Sequence, residues 1–279
     1  MNSPSTTLVI GATGTTGRRV TTRLAAAGHH VRAASRGAGA VPGAAAVRFD
    51  WHDPATHDEA LRGADRVHVT PPPGHPEPAE VVLPFLDRAR GAGVRRAVLL
   101  SSSAIPAGGP ATGRIHRELP ELFAEWAVLR PSWFMQNFTG DHPHAQSLRA
   151  DGTLLTATGD GRVGFVDAED IAAVAVHALT DTRSPNTDLI LTGPQALSYD
   201  DVAAVLGRVT GRTVTHRKLT GGQLRDRLAQ SLPAAFATLL AELDRAIAEG
   251  AEDRTTDTVQ RLTGRPAGTF TAFAERELG

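Results

Sequence analysis

The chain has 279 residues, 41% of them hydrophobic, with a formal net charge of -1; this suits one large α/β unit or a core with a smaller lobe, and offers no basic face for nucleic acid. It contains no cysteine, which excludes a disulfide framework, a thiolate nucleophile and a cysteine-based zinc site. No apolar run approaches the ~18–20 residues of a membrane span, and Met1-Asn2-Ser3-Pro4-Ser5 lacks the regions of a signal peptide, so a cytoplasmic protein is expected, with neither nucleic acid nor membrane as partner.

Near the N-terminus, Leu8-Val9-Ile10 runs into Gly11-Ala12-Thr13-Gly14-Thr15-Thr16-Gly17-Arg18, and an Arg/Ala/Leu-rich segment of helical spacing follows. The three glycines therefore sit on a strand-to-helix turn. Gly11 lets the chain turn tightly, Gly14 lets the backbone approach a pyrophosphate, and Gly17 lets the helix pack close to the sheet. With Thr13, Thr15 and Thr16 they form the expected dinucleotide cradle, where free N–H groups of the first helical turn face phosphate oxygens. The spacing is Gly-x-x-Gly-x-x-Gly, as in the short-chain dehydrogenase/reductase type of Rossmann domain.

A first helix closes at Ala27-Gly28, and residues 30–36 read as a second strand ending in Ser35-Arg36. An acid at that place would bind the ribose 2′-OH of NAD, whereas a guanidinium and a hydroxyl hold a 2′-phosphate. NADP(H) is accordingly the expected cofactor, against the alternative that Arg36 is solvated surface. Asp50, ending a short third strand over 46–51, either meets an adenine amino group or caps the helix near Pro54. A fourth strand over 66–70 ends in Pro71-Pro72-Pro73-Gly74, placing Thr70 and Pro71 on the ligand-binding edge of a doubly wound sheet. A helix over 77–91 precedes a fifth strand over 96–103, whose last residues are Ser101, Ser102 and Ser103. Ser101 is expected beside the cofactor, with Ser102 and Ser103 near the nicotinamide and substrate. Serines that end a strand also satisfy loose backbone groups with no catalysis.

On the helix over 112–125, His116 is the nearest titratable group and a candidate proton donor, although a surface histidine is the commoner case. After a sixth strand over 126–131, the run Ser132-Trp133-Phe134-Met135-Gln136-Asn137-Phe138 supplies a substrate wall in which Trp133, Phe134, Gln136 and Asn137 are the candidate contacts and Phe138 packs in the core. His142, in Asp141-His142-Pro143-His144, faces the same pocket, and no metal site is expected there because a third ligand cluster is missing. Asp167 is placed as an N-cap with Glu169 and Asp170 in the first helical turn. Ser198 caps a later helix with Asp201 completing a capping box, and Tyr199 is structural. Beyond a short strand over 213–216 the chain is helical, with a break at Pro233 and a buried stripe of Leu239, Leu240, Leu243 and Ile247.

The fold expected is α/β, a Rossmann-type doubly wound parallel sheet with a small, mostly helical C-terminal substrate lobe. Residues 1–132 and 164–193 are assigned to the NAD(P)-binding core, and 133–163 with 194–279 to the substrate lobe. The motifs Gly11-Ala12-Thr13-Gly14-Thr15-Thr16-Gly17, Leu129-Arg130-Pro131-Ser132-Trp133-Phe134-Met135-Gln136-Asn137-Phe138, Phe165-Val166-Asp167-Ala168-Glu169-Asp170-Ile171-Ala172 and Leu191-Thr192-Gly193-Pro194 resemble the NmrA-like branch of the atypical short-chain dehydrogenase/reductases, most of all the ergot-alkaloid-type reductases of the festuclavine synthase group. That resemblance implies NADP(H) binding and reduction of imines, enones or quinones in specialised metabolism, although the branch also contains regulators that bind the cofactor without turnover. A non-redox cyclase or isomerase on the same fold is a third possibility. The only tyrosine is Tyr199 and the only lysine Lys218, so the Tyr-x-x-x-Lys proton-donating pair is impossible here. An iminium ion needs hydride but no proton in that step, and a small-molecule substrate for a monomer or homodimer is expected.

Overall fold

The computed structural model describes residues 5–279; Met1-Asn2-Ser3-Pro4, on which the signal-peptide reading rests, lie outside the described residues. The N-terminal half alternates strand and helix: β1 (Thr6–Ile10), α1 (Thr15–Ala26), β2 (His30–Ser35), β3 (Ala45–Arg48), α2 (His57–Leu61), β4 (Arg66–Val69), α3 (Ala79–Gly91), β5 (Arg96–Leu100), α4 (Gly113–Leu122) and β6 (Glu125–Pro131). There follow α5 (Pro143–Asp151), β7 (Thr153–Thr156), β8 (Arg162–Val163), α6 (Ala168–Thr180), β9 (Thr187–Leu191), β10 (Leu197–Ser198) and α7 (Tyr199–Thr210). The chain ends with β11 (Thr215–Lys218), α8 (Gly221–Leu228), α9 (Ala234–Ala248), α10 (Thr258–Thr263) and α11 (Phe270–Leu278).

Two compact units result, Met1–Pro131 with Ala168–Ile190, and Ser132–Asp167 with Leu191–Gly279. The first is built on a seven-stranded sheet of order β3-β2-β1-β4-β5-β6-β9, and its first five pairings are parallel. Strand order reverses between β1 and β4, which opens a crevice at their carboxyl ends. The apolar runs of β1, β5 and β6 are buried because both faces are covered. Leu8, Ile10, Val67, Val69 and Leu99 pack with Phe85 and Leu86 of α3 in one layer; each such side chain contributes ~1.5–3 kcal/mol on burial. On the other face Glu169 accepts from Arg19 at 2.9 Å and Arg23 at 2.6 Å, joining α6 to α1. Arg96, 3% exposed, donates to the carbonyls of Leu179 at 3.0 Å and Asp181 at 2.7 Å, so a guanidinium closes the carboxyl end of α6 where helix carbonyls lack partners.

β5 stops at Leu100 rather than running to Ser103. The serines still pair, with Ser101 N donating to Leu129 O and Ser103 N to Pro131 O, but Ser102 Oγ accepts from Ala104 N and turns the chain out. Residues 164–167, grouped with the core by the sequence reading, pack in the second unit: Val166 bridges Phe134, its N donating to Trp133 O and its O accepting from Met135 N.

The second unit has an aromatic core in which Phe138 meets Phe165 at 5.4 Å and Phe270 at 5.3 Å, with Tyr199 5.5 Å from Phe165. The Ser198/Asp201 capping box starts α7, and Thr220 with Gln223 forms another at α8. The carboxylate of Asp167 accepts from Gln136 Nε2 and Arg276, each at 2.8 Å. The leucine stripe needs one correction: Leu239 is exposed, Leu240 and Leu243 are half-buried and Ile247 is fully buried. At about 100° per residue Leu239 stands at the outer edge of the arc filled in turn by Leu243, Ile247 and Leu240, where the stripe meets solvent.

Candidate functional site

In the first unit, the expected cofactor residues gather at the carboxyl ends of β1, β2, β4 and β5. Gly11 has φ +75, the left-handed conformation that lets the chain leave β1 at once, and a Cβ there would press Thr70 at 3.2 Å. A Cβ on Gly17 would stand 2.2 Å from Gly11 O, so only glycine lets α1 start this close to the turn. Gly14 is the N-cap of α1 and supplies no side-chain cap, leaving the first-turn N–H groups open at an exposed turn of Thr13, Gly14 and Thr15, while Thr16 is buried. That opening fits a pyrophosphate, and so does Thr70 Oγ1, a buried hydroxyl without a partner among the described residues.

Around that turn, Ser35 Oγ accepts from Gly39 N at 3.0 Å, and Arg36 stands exposed on the same loop. Ala38 in that loop holds φ +47, strained for a residue with a Cβ, and strain of this kind clusters where a ligand loop must keep its shape. Asp50 does not cap the helix near Pro54: its Oδ1 accepts from His52 N at 3.0 Å, and Asp53 occupies the cap position. Trp51 Nε1 donates to Thr70 O at 3.2 Å, fixing the third strand's loop beside the fourth. Pro71 follows Thr70 at this edge, half-buried.

The proton-donor candidates meet different fates. Ser101 Oγ is shared with Thr112 Oγ1 at 2.7 Å. Arg130 holds the serine turn by its carbonyls, bonding Ser102 O at 3.3 Å and Ser103 O at 2.8 Å, and is itself paired with Asp188 at 2.6 Å. Ser103 is 3% exposed and Ser102 half-buried. His116 is not a surface residue: it sits on the buried face of α4, and its Nδ1 has no partner among the described residues. Burial pushes its pKa below the ordinary histidine value, with Asp188 opposing and Arg130 assisting, so the ring is neutral near pH 7.

In the second unit, a cavity of about 170 Å³ lies among the turn at 133–138, α5, α7, α8 and α9. Trp133, Asn137 and His142 line it; Phe134 and Gln136 do not, since Phe134 pairs with Val166 and Gln136 holds Asp167. His142 caps α5, its Nδ1 accepting from His144 N at 3.2 Å, and burial lowers its pKa. His144 stacks on Phe138 at 5.7 Å, and burial takes it down to about 3. Sequence reasoning missed His144, Tyr199 and Asp244 as cavity residues. The available signal was Asp244 itself, four residues past Leu240 and so on the apolar face of α9. Among the described residues, no group of three or more His, Asp or Glu comes together as metal ligands, and no helix is long and apolar enough to cross a membrane.

A family model described as NAD(P)H-binding matches residues 11–182, and one described as the NmrA-like family matches residues 114–265. The chain belongs to the NmrA-like family. This NmrA-like chain is 43% identical over 268 residues to the uncharacterized oxidoreductase YesF of Bacillus subtilis, covering 96% of this chain and 93% of the relative. Agroclavine dehydrogenase of Claviceps fusiformis is 40% identical over 235 residues, 81% of each chain. The fold is shared with the NADPH-dependent quinone oxidoreductase QOR2 of Escherichia coli, solved with NADPH, at TM-score 0.80 and 24% identity over 97% of this chain and 99% of that one. The N-terminal Gly-rich turn described above falls inside the NAD(P)H-binding match.

Proposed function

We propose that this NmrA-like protein is an NADPH-dependent reductase that transfers hydride to a small cyclic or aromatic imine, iminium, quinone or enone. The observation that carries the reading is the Gly11–Gly17 cradle, an uncapped helix N-terminus beside an unpartnered Thr70 hydroxyl. Gly11, Gly14 and Gly17 with Thr13, Thr15 and Thr16 would hold the pyrophosphate, Ser35 and Arg36 the 2′-phosphate, Asp50 the adenine, and Thr70, Pro71 and Ser101 the nicotinamide side. Bound NADPH would supply the hydride.

The first unit, on this reading, binds the dinucleotide, and Trp133, Asn137 and His142 of the second receive the substrate. The oxidoreductase names of the relatives and the apolar cavity favour turnover over a cofactor-sensing role. The proton inventory orders the substrates. The Tyr-x-x-x-Lys pair is absent, Lys218 is held by Asp160 and Asp200, and His116 is neutral and buried. A ketone would build an alkoxide and need a donor, with Ser102, Ser103 or His116 as the candidates. An iminium takes hydride at carbon while its nitrogen becomes neutral, so no proton moves in that step. Orientation then supplies the rate, up to ~7–11 kcal/mol in well-positioned systems.

The test is NADPH consumption against a panel of imines, iminium salts, quinones, enones and simple ketones. Turnover of the first four classes above ketones is expected. Tight NADPH binding with no turnover on any of them would overturn the reading in favour of a cofactor-binding regulator.

A further inference from the structure

The cavity of the second unit holds a feature that hydride transfer does not require. Its walls are largely apolar, with Trp133, Leu228, Leu240 and Leu243 among them, and Asp244 of α9 is set into them. One carboxylate oxygen, Oδ2, accepts from Ala157 N at 2.7 Å. Among the described residues no ion pair reaches Asp244. The other ionisable groups lining the cavity are His142 at the N-cap of α5, His144 within α5, Tyr199 from α7 and Arg227 from α8. Arg227 is exposed, both histidines are kept neutral by burial, and Tyr199 is held in its uncharged form by burial and by the Asp244 charge. A carboxylate facing apolar walls without a counter-cation is costly, and a ligand that brings the cation removes that cost. The volume suits a compact ring system, since an apolar cavity of roughly 150 Å³ takes up benzene.

We propose that Asp244 is the specificity-determining residue of this cavity, selecting a monocationic amine or iminium attached to an apolar ring system by pairing with its charge. That the selected cation is also reduced rests on the reductase reading; the selection itself does not. Burial raises the Asp244 pKa to about 6, so a cationic ligand binds most tightly once the carboxylate has ionised.

The experiment is calorimetric titration of wild type and Asp244→Asn, without cofactor, using N-methyl-3,4-dihydroisoquinolinium and its neutral counterpart 1,2-dihydronaphthalene as probes. Asparagine keeps an oxygen for Ala157 N and the side-chain shape. The expected result is at least about a tenfold loss of affinity for the cation, as for hydrogen bonds to a charged group, with the neutral probe changed less than about twofold. Equal effects on both probes, or none on the cation, would overturn the proposal. A pH series on wild type guards against a variant that fails to fold: cation affinity rises as pH passes about 6, and neutral affinity stays flat. A slope for the cation that persists in Asp244→Asn belongs to His142 and refutes the assignment. NADPH consumption with the iminium probe is read separately. Charge-selective binding without consumption would sink the reductase reading and leave Asp244 as the selector.

Discussion

Gly17 and Gly14, two of the three glycines of the cradle, separate a role in the fold from a role in binding. A methyl group at Gly17 would stand 2.2 Å from Gly11 O, 2.7 Å from Gly11 C and 3.1 Å from Ala12 Cα, all backbone atoms. Since non-bonded contacts settle near ~3.5 Å, α1 and the turn must part by roughly 1 Å. Overpacking of this kind costs about 1–3 kcal/mol, offset by the ~0.5–1 kcal/mol that alanine gains over glycine in a helix. Gly17→Ala should therefore lower the Tm by a few degrees, roughly 2–8 °C for a chain of this size, and weaken NADPH binding through the displaced helix start. A methyl at Gly14 meets only Gly11 O at 3.3 Å, and φ there is -82. Gly14→Ala should keep its Tm, yet lose at least about tenfold in NADPH affinity, ~1.4 kcal/mol, because the methyl stands where the phosphate must approach. Thermal unfolding and calorimetric titration with NADPH read both variants. If Gly17→Ala keeps wild-type Tm and affinity, or Gly14→Ala binds NADPH normally, the close-approach argument fails.

The remaining predictions concern the 2′-phosphate, the buried charges and the caps. Arg36→Ala should cut NADPH affinity at least about tenfold while leaving NADH unchanged, because only the phosphorylated ribose has the charge it answers; parallel titrations with the two cofactors decide it. His68 lies wholly buried between Val9 and Val98, with no partner on either ring nitrogen among the described residues, and burial lowers its pKa to about 4. Its folded pKa lies below the unfolded value, so the unfolded state binds more protons and stability falls as pH drops from ~6.5 to about 4, by roughly 3 kcal/mol. His68→Leu should flatten that part of a denaturation-versus-pH curve, and an unchanged slope would contradict the assignment. Arg96→Met leaves the last carbonyls of α6 without donors and should cost at least about 3 kcal/mol in urea unfolding.

Strand and helix periods made the core legible, because the apolar stretches of β1, β5 and β6 are closed by Gly11, Ser101 and Pro131. The glycine turn was legible for the same reason: each glycine answers a local demand of backbone geometry. Positions whose role depends on partners far along the chain were not. His116 sits on a helix rich in charges, and only packing shows that it faces inward. Ser103 reads as a strand-end hydroxyl until Arg130, 27 residues away, takes its carbonyl. Residues 164–167 look continuous with the helix they precede, but Val166 pairs with Phe134. The cavity escaped for the same cause. Its walls come from the turn at 133–138 and from α5, α7, α8 and α9, and Asp244 has meaning only beside the leucines across from it.

On the proposed reading, bound NADPH reduces a small substrate. The most direct measurement is transfer of label from NADPH carrying deuterium at both C4 positions of the nicotinamide to N-methyl-3,4-dihydroisoquinolinium, read by mass spectrometry. One deuterium in the tetrahydroisoquinoline product, formed faster with NADPH than with NADH, is the predicted result. An unlabelled product, or no product at NADPH saturation across the whole substrate panel, would contradict it.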